Sequence, residues 1–167
     1  MKILIWPGHH DCLDAAIKCL THGQGSHAAF LRSDDERVHE AFWPRVRTRP
    51  LTDEDRAAAE VYRLEGVSDR QHAQFEWLFD SNDLANIEYS IADLFRFALN
   101  LQTRDEKHTF CSRYVMHCLQ EVLQSHYQMP LVRLPDRDWA SPRDLRISPK
   151  LTLLRGYFRA NTRDIFD

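Results

Sequence analysis

The stretch "HTFCSRYVMHCLQEVL", residues 108–123, decides the fold because it combines an amphipathic helix with a cysteine in the first helical turn. Six residues recur at i, i+3, i+4, i+7, i+8 and i+11, which places them on one helical face. They are Cys111, Tyr114, Val115, Cys118, Leu119 and Val122. We predict a helix from Thr109 to about Gln124, with Thr109 as its N-cap and this face against the core.

Cys111 has two interpretations. Free cysteine is among the most buried residue types, so Cys111 could be a packing residue of the core. In a first helical turn, however, backbone N–H groups and the positive end of the helix dipole favour a thiolate and can stabilise an oxyanion. Cys118 lies in the middle of the helix and fits the packing interpretation better. Position therefore makes Cys111 the candidate nucleophile.

A nucleophilic cysteine needs a base, and His27 is the best placed of the nine histidines. It opens "SHAAFLR", residues 26–32, whose alternation predicts a strand with His27, Ala29 and Leu31 on one face. The polar "SDDE" is a turn signal, and "RVHEAFWPRVRTRP", residues 37–50, follows as a second strand. We expect these two strands to form an antiparallel hairpin.

Glu40 shares the face of His27 in both registers that the hairpin allows. A two-residue turn at Ser33-Asp34 puts Glu40 opposite His27, whereas a four-residue loop puts it opposite Ala29, one diagonal away. His39 points to the other face. A carboxylate at this place can hold the imidazole tautomer and stabilise the imidazolium. The alternative is a surface His–Glu pair without a catalytic role.

The segment "PGHHDC", residues 7–12, carries residue types that can bind metals. With His22 nearby, the possible ligands are His9, His10, Asp11 and Cys12. Adjacent histidines point in different directions, and the spacing of a closed zinc site is missing, so we predict no metal and no cofactor. The histidines end a strand and could rim a cleft. Our substrate-binding candidates are His10, Ser26, Tyr89 and Ser112.

The patterns in the rest of the chain predict short strands and helices. "KILIW", residues 2–6, predicts a buried strand, and residues 11–23 a helix. Residues 51–66 combine a weak capping signature with a possible strand, "EVYRL". Residues 68–102 predict two helical pieces capped by Ser68 and Ser90. Their apolar faces comprise Phe75, Leu78 and Phe79 in the first piece, and Leu94, Phe95, Ala98 and Leu99 in the second.

The C-terminal part carries four prolines between residues 130 and 149. Proline removes a backbone donor and is excluded from helix interiors and central strands. We therefore expect an extended segment that wraps the domain and ends in the strand "LTLLRGYF", residues 151–158. The charged "TRDEKH", residues 103–108, is predicted to be a loop.

Composition limits the class of protein. The 167 residues suggest one domain, residues 1–167, and 43% hydrophobic with 28% charged residues is an ordinary globular balance. A net charge of −3 shows no basic field for nucleic acid. The four cysteines match no zinc or redox spacing and are predicted to be free thiols. We expect a cytoplasmic monomer or weak homo-oligomer without a membrane span; export without a cleaved signal stays open.

Five segments occur in an order that resembles a known family. They are "GSHAAFL", "VHEAFWPRVRTRPL", "YSIADLFRFA", "HTFCSRYV" and "SPRDLRISPKL". The sequence is similar to circularly permuted NlpC-type papain-like hydrolases, the YiiX-like and YaeF-like group, in which the histidine strand precedes the cysteine helix. The resemblance implies an α+β fold with an antiparallel sheet packed against helices and the nucleophile at a helix N-terminus. It also implies Cys111 as nucleophile, His27 as general base and a third residue that falls on Glu40. Many relatives act on cell-wall peptides.

These observations predict a cysteine hydrolase that cleaves an amide bond in a short peptide or amino-acid conjugate through a thioester. One alternative keeps the scaffold as a lipid acyltransferase or thioesterase. It requires an apolar groove, which Phe75, Trp77 and Phe79 could line, although they could equally belong to the core. The other alternative is an inactive binding or assembly module in which Cys111 is a buried core thiol.

Overall fold

The computed structural model describes residues 1–7, 27–81, 84, 86–98, 108–123, 141–146 and 151–154. Over these residues the chain has an α+β fold in which helices pack against a mixed sheet. The strands are β1 (Lys2–Trp6), β2 (His27–Leu31), β3 (Arg37–Phe42), β4 (Arg45–Pro50), β5 (Glu60–Leu64), β6 (Glu88–Tyr89), β7 (His108–Thr109) and β8 (Leu151–Leu153). The helices are α1 (Asp53–Ala58), α2 (Asp69–Phe79), α3 (Ile91–Ala98), α4 (Cys111–Leu123) and α5 (Pro142–Arg146).

The sheet has the order β7-β6-β4-β3-β2-β1-β5-β8. Neighbouring strands are antiparallel except β6 and β7, which are parallel, so the sheet is mixed and not wholly antiparallel as expected. The strand that begins with His27 lies in the interior of the sheet, between β1 and β3. Trp6 stands directly opposite His27 in the β1–β2 ladder.

Both faces of the sheet are covered at β2, and all five of its residues are buried. Ala28 and Phe30 belong to the main core cluster, together with Tyr114 and Val115 of α4. The residues of the opposite face form a smaller cluster, which contains Leu4, Trp6, Ala29, Leu31, Val38, Leu51 and Val61. Helix α4 therefore covers the sheet face of Phe30, while Glu40 lies on the face of Ala29.

Several expected elements are confirmed. Strand β1 covers the predicted residues, and the two helical pieces are α2 and α3. Ser68 forms a capping box with Gln71, and the Ser90 hydroxyl accepts a hydrogen bond from the Asp93 N–H at 2.9 Å. The ambiguous residues 51–66 contain both predicted features, since Thr52 caps α1 and "EVYRL" forms β5.

Two expectations for the strands are wrong. Residues 37–50 form two strands, because the chain turns at Trp43-Pro44 and the missing N–H of Pro44 cannot continue a ladder. Residues 142–146 are helical instead of extended. Pro142 occupies the first helical position, where its missing N–H costs no hydrogen bond. Strand β8 agrees with the start of the predicted last strand, and residues 155–158 lie outside the described part.

The helix faces are confirmed for α2 and wrong in part for α3. Phe75 and Phe79 are buried, and Leu78 packs against the core. In α3, Leu94 is buried but Phe95 is 49% exposed. Phe97 packs against the main core instead, with its ring 5.1 Å from that of Phe110. The side chains of residues 98 and 99 lie outside the described part.

Helix α4 begins at Cys111, and its predicted apolar face is buried. Thr109 is not its N-cap, because it lies in β7 and its hydroxyl donates to the Phe110 carbonyl at 3.4 Å. The first helical hydrogen bond runs from the Tyr114 N–H to the Phe110 carbonyl at 2.9 Å. Cys111 is therefore the first residue of the helix. The predicted helix over residues 11–23 and residues 103–107 of the predicted loop fall outside the described residues. The last residue of that loop, His108, instead begins β7.

Among the described helices, none is both long and apolar enough to cross a bilayer.

Candidate active site

Two residues at the starts of their elements meet at one end of the fold. His27 is the first residue of β2, and Cys111 is the first residue of α4. Because α4 packs across β2, both starts lie together, and the Cys111 thiol hydrogen-bonds the His27 ring. Cys111 is 1% exposed. The structure thus joins the predicted nucleophile to the predicted base.

The second ring nitrogen of His27 contacts Glu40. His27 Nε2 lies 2.9 Å from Glu40 Oε2, and the Glu40 side chain is fully buried. An ionised carboxylate can only accept, so Nε2 carries the proton and Nδ1 is left for the Cys111 sulfur. Glu40 reaches His27 through the register of the four-residue loop, in which Phe30 faces His39 and Leu31 faces Val38.

Aromatic rings hold the imidazole on two sides. The Trp6 ring centroid lies 5.1 Å from that of His27, and the Phe42 ring meets it edge-on at 5.8 Å. Trp6 is fully buried, whereas Phe42 is 40% exposed. These contacts restrict rotation of the ring and shield the His27–Glu40 hydrogen bond from water, which strengthens it.

Two arginines of β4 share the other oxygen of Glu40. Arg47 Nε donates to Glu40 Oε1 at 2.9 Å, and Arg49 Nε donates to the same atom at 2.8 Å. Arg49 also hydrogen-bonds Asp55, whose carboxylate accepts from the backbone and hydroxyl of Thr52. The capping box of α1 is therefore continuous with the carboxylate that orients His27.

These contacts set the ionisation of the pair. Burial alone would lower the pKa of His27, but hydrogen bonds and negative charge from Cys111 and Glu40 outweigh it and raise that pKa to about 10. Burial raises the pKa of Glu40, yet His27 and Arg49 outweigh it and bring that pKa down to about 2. At neutral pH these shifts favour an ionised Glu40 carboxylate and a charged His27 imidazolium.

Cys118 lies in a contrasting environment on the same helix. Burial raises the pKa of its thiol to about 12, with a smaller opposing hydrogen bond from Tyr114. Cys118 is fully buried and, like Cys111, forms no disulfide. It is a packing residue of the main core, as the sequence predicted.

His39 belongs to a buried polar chain on the α4 side of the sheet. Its Nδ1 lies 2.7 Å from Thr48 Oγ1, its Nε2 hydrogen-bonds the Tyr114 hydroxyl, and its ring stacks on Phe79. This placement confirms that His39 points away from Glu40. Burial, followed by the positive charge of Arg32, lowers the pKa of His39 to about 4.

The buried neutral state of His39 predicts acid sensitivity. An unfolded histidine binds a proton near pH 6.5, whereas folded His39 resists protonation until about pH 4. Stability should therefore fall as the pH drops through this window, by up to roughly 1.4 kcal/mol per pH unit from this residue. Urea unfolding at several pH values across this window should show that the free energy of unfolding depends less steeply on pH in His39→Gln than in the parent protein. Equal slopes for the two proteins would contradict the assignment.

The predicted substrate-binding residues are only partly described. His10 and Ser26 lie outside the described residues, as do the metal-competent residues His9, Asp11, Cys12 and His22. Ser112 follows Cys111 and is buried. Tyr89 pairs with Thr109 between β6 and β7 and packs in the main core. Their roles toward a substrate stay predictions. Within the described ranges, no group of three or more His, Cys, Asp or Glu residues could hold a metal.

The three aromatic residues proposed as a lipid groove do not share a surface. Phe75 and Phe79 are buried and pack against Phe30, whereas Trp77 is 74% exposed. They are four or fewer residues apart on one helix, but Trp77 lies on the opposite face. These residues therefore line no common groove beside Cys111.

Sequence reasoning missed the two arginines. In "RVRTRP" the arginines recur at every second residue, which places Arg45, Arg47 and Arg49 on one face of a strand. That face proves to be the face of Glu40, since Glu40 stands opposite Arg47 and Val38 stands opposite Arg49. The alternation was visible in the sequence. That the arginines face Glu40 follows only if residues 37–50 are divided at Trp43-Pro44 into two paired strands.

The sequence matches no protein-family model and has no significant match among curated proteins. The resemblance to permuted papain-like hydrolases therefore rests on the quoted motifs.

Proposed function

We propose that this protein is a cysteine hydrolase with a Cys111-His27-Glu40 triad on a circularly permuted papain-like fold. The observation that carries the proposal is that His27 contacts Cys111 and Glu40 at once, each through a side chain. Covalent acyl transfer needs a nucleophile that contacts a base, which in turn contacts an orienting acid. The α+β architecture, with the cysteine at a helix start and the histidine at a strand start, is compatible with this assignment.

The proposed reaction cleaves an amide bond in a short peptide or amino-acid conjugate. His27 Nδ1 takes the thiol proton of Cys111, and the sulfur attacks the carbonyl carbon. Backbone N–H groups at the start of α4 stabilise the oxyanion, and His27 returns its proton to the leaving amine. A water molecule then loses a proton to His27 and attacks the thioester. The carboxylic acid leaves, and the Cys111 thiol is restored.

Glu40 acts in this scheme by holding His27. Its Oε2 keeps the Nε2–H tautomer, so that Nδ1 faces the sulfur, and its charge stabilises the imidazolium. Arg47 and Arg49 hydrogen-bond its other oxygen and hold the carboxylate in place, while His27 and Arg49 keep it ionised. None of these steps requires a metal or an organic cofactor.

A second candidate function is an inactive binding or assembly module, and the burial of Cys111 favours it. Cys111 is 1% exposed, and such burial is typical of a cysteine that only packs in the core. The same burial is compatible with a nucleophile that is shielded from water. The two functions differ in what His27 does to the reactivity of Cys111, because only an enzyme needs an activated thiolate.

Alkylation of Cys111 distinguishes the two candidates. We expect iodoacetamide to label Cys111 in the native protein at neutral pH much faster than it labels Cys118, because His27 supplies a positive charge beside the Cys111 sulfur. In His27→Ala the rate at neutral pH should fall by about tenfold or more. Peptide mapping by mass spectrometry over a pH series gives the rate for each cysteine.

Cys118 is the internal control, since its pKa of about 12 predicts slow labelling until the protein unfolds. Labelling of Cys111 that is no faster than that of Cys118, or unchanged by His27→Ala, would remove the basis for a hydrolase. The inactive module would then be the better assignment.

A further inference from the structure

Arg47 and Phe42 form a partly exposed cation–aromatic surface beside the triad. The Arg47 guanidinium carbon lies 4.4 Å from the centroid of the Phe42 ring, and the same ring meets His27 edge-on at 5.8 Å. The Arg47 side chain is 41% exposed, and Phe42 is 40% exposed. Trp43, the next residue, is 59% exposed. Phe42 connects this surface to the His27 ring.

The Arg47 guanidinium uses only some of its hydrogen-bond donors within the described residues. Its Nε and one terminal nitrogen, Nη2, both contact Glu40 Oε1 at 2.9 Å. Within the described part of the chain, Nη1 makes no hydrogen bond. A guanidinium in this position can donate from Nη1 and Nη2 to a second acceptor while it keeps its contact with Glu40.

Arg49 differs from Arg47 because all three nitrogens of its guanidinium contact acceptors. Its Nε donates to Glu40, and its terminal nitrogens contact Asp55 and the Pro50 carbonyl. Its side chain is 25% exposed. Arg49 therefore anchors Glu40 to α1, whereas Arg47 is more exposed and has an unused donor as far as the described residues show.

The charges at this surface also favour an anion. Glu40 offers one negative charge to two guanidinium groups and the His27 ring. Among the described residues, Arg49 has a second carboxylate partner, Asp55, and Arg47 has none. Arg45, on the same face of β4, is exposed as well. A carboxylate fits a guanidinium edge because its two oxygens match a pair of N–H donors.

We propose that Phe42 and Arg47 form a substrate subsite that binds a carboxylate close to the scissile amide bond. This inference rests on the proposed hydrolase and names its substrate class: N-acyl amino acids and peptides with a carboxylate near the bond that is cleaved. Arg47 donates to the carboxylate from its terminal nitrogens, and Phe42 and Trp43 provide apolar surface for an adjoining group. Docking on Arg47 places the substrate beside His27.

The test uses two matched probes, N-benzoylglycine and its neutral amide, N-benzoylglycinamide. Binding to Cys111→Ser by titration calorimetry needs no turnover. We expect the acid to bind about 10- to 100-fold more tightly than the amide, as a charge-assisted hydrogen bond predicts. In Cys111→Ser with Arg47→Gln, the preference should fall to about twofold or less, mainly through weaker binding of the acid.

Comparison of the two probes separates the subsite from an effect on the triad. Disturbance of Glu40 through loss of Arg47 would change the affinity for both probes alike, whereas loss of the carboxylate contact affects the acid alone. Arg45→Gln is the matched control, because it removes an exposed charge from the same strand face. The ratio of acid to amide affinity in this variant should stay within about twofold of that in the parent Cys111→Ser protein. Arg47→Lys should keep a reduced preference, because it retains the charge and loses the planar fork.

The outcomes are distinct. An acid preference that survives Arg47→Gln, equal binding of both probes, or no measurable binding of either would overturn the subsite. An Arg47-dependent preference in a protein whose Cys111 is inert to alkylation would keep the anion site and refute the hydrolase. An activated Cys111 without the preference would keep the hydrolase and refute the subsite.

Discussion

Cys111→Ser is expected to abolish amide hydrolysis, with kcat/KM reduced by at least about 10³-fold. Serine has nearly the shape of cysteine, so the hydrogen bond to His27 can be kept while the nucleophile becomes far harder to ionise. Cys111 is buried, and its contact with His27 connects it to the only carboxylate within the described residues that hydrogen-bonds that ring. Loss of the thiolate therefore removes the first step of the reaction.

The measurement is a screen of N-acyl amino acids and short peptides by mass spectrometry, followed by kinetics on the best substrate. Cys118→Ala is the matched control, because Cys118 lies two turns further along the same helix and its thiol packs in the main core. It should keep activity within about fivefold and lose about 1–2 kcal/mol of stability, as deletion of a small buried group predicts. Turnover that persists in Cys111→Ser would exclude Cys111 as the nucleophile.

Glu40→Gln is expected to lower the free energy of unfolding at neutral pH by about 3–5 kcal/mol, the range measured when one partner of a buried ion pair is removed. Glutamine is nearly isosteric but neutral, so Arg47 and Arg49 lose their shared counter-charge. It also presents an amide that competes with the orientation of His27. Activity should fall together with stability, since the tautomer that directs Nδ1 toward Cys111 is no longer enforced.

The pH dependence of this loss has a definite sign. The pKa of Glu40 lies at about 2 in the folded protein and near 4.5 when unfolded. Its charge therefore stabilises the fold fully above about pH 4.5, and this contribution disappears as the pH falls through about 2. The difference between the parent protein and Glu40→Gln should shrink over the same window in urea unfolding.

Glu60→Gln serves as the control for Glu40→Gln. Glu60 pairs with Arg146 at 2.8 Å, but both side chains are partly exposed, so the expected loss is at most about 1 kcal/mol. Equal losses for the two substitutions would show that Glu40 is not the central charge of a buried network. A stable Glu40→Gln protein with full activity would remove Glu40 from the triad.

The candidate triad could be found from local patterns because each of its members has a strong local signal. Helical periodicity placed Cys111 at the start of α4, although the cap was assigned to Thr109 in error. Strand alternation put Glu40 on the face of His27 in either register, because a shift by two residues leaves a side chain on the same face. Alternation also assigned His39 to the other face, where it contacts Tyr114.

The register itself needed the folded hairpin. The four-residue loop is closed by a hydrogen bond from the Arg32 N–H to the Arg37 carbonyl at 2.9 Å, and the Asp34 carboxylate accepts from the backbone of Glu36 and Arg37. The loop is further tied to α2, because Arg32 pairs with Glu76 and Asp80. These partners are distant in the chain, so no local pattern reveals which of the two turns is stabilised.

The sequence by itself determined which residues could act: a cysteine at a helix start, a histidine at a strand start and a glutamate on the histidine's face. It did so because backbone geometry repeats every 3.6 residues in a helix and every two in a strand, so faces can be assigned from spacing alone. Only the tertiary structure decided that Cys111 meets His27, that two arginines share Glu40, and that Arg47 has a donor without a hydrogen bond among the described residues. These contacts join residues that are distant in the chain, and they depend on how α4, β2 and β4 pack, which no periodicity encodes.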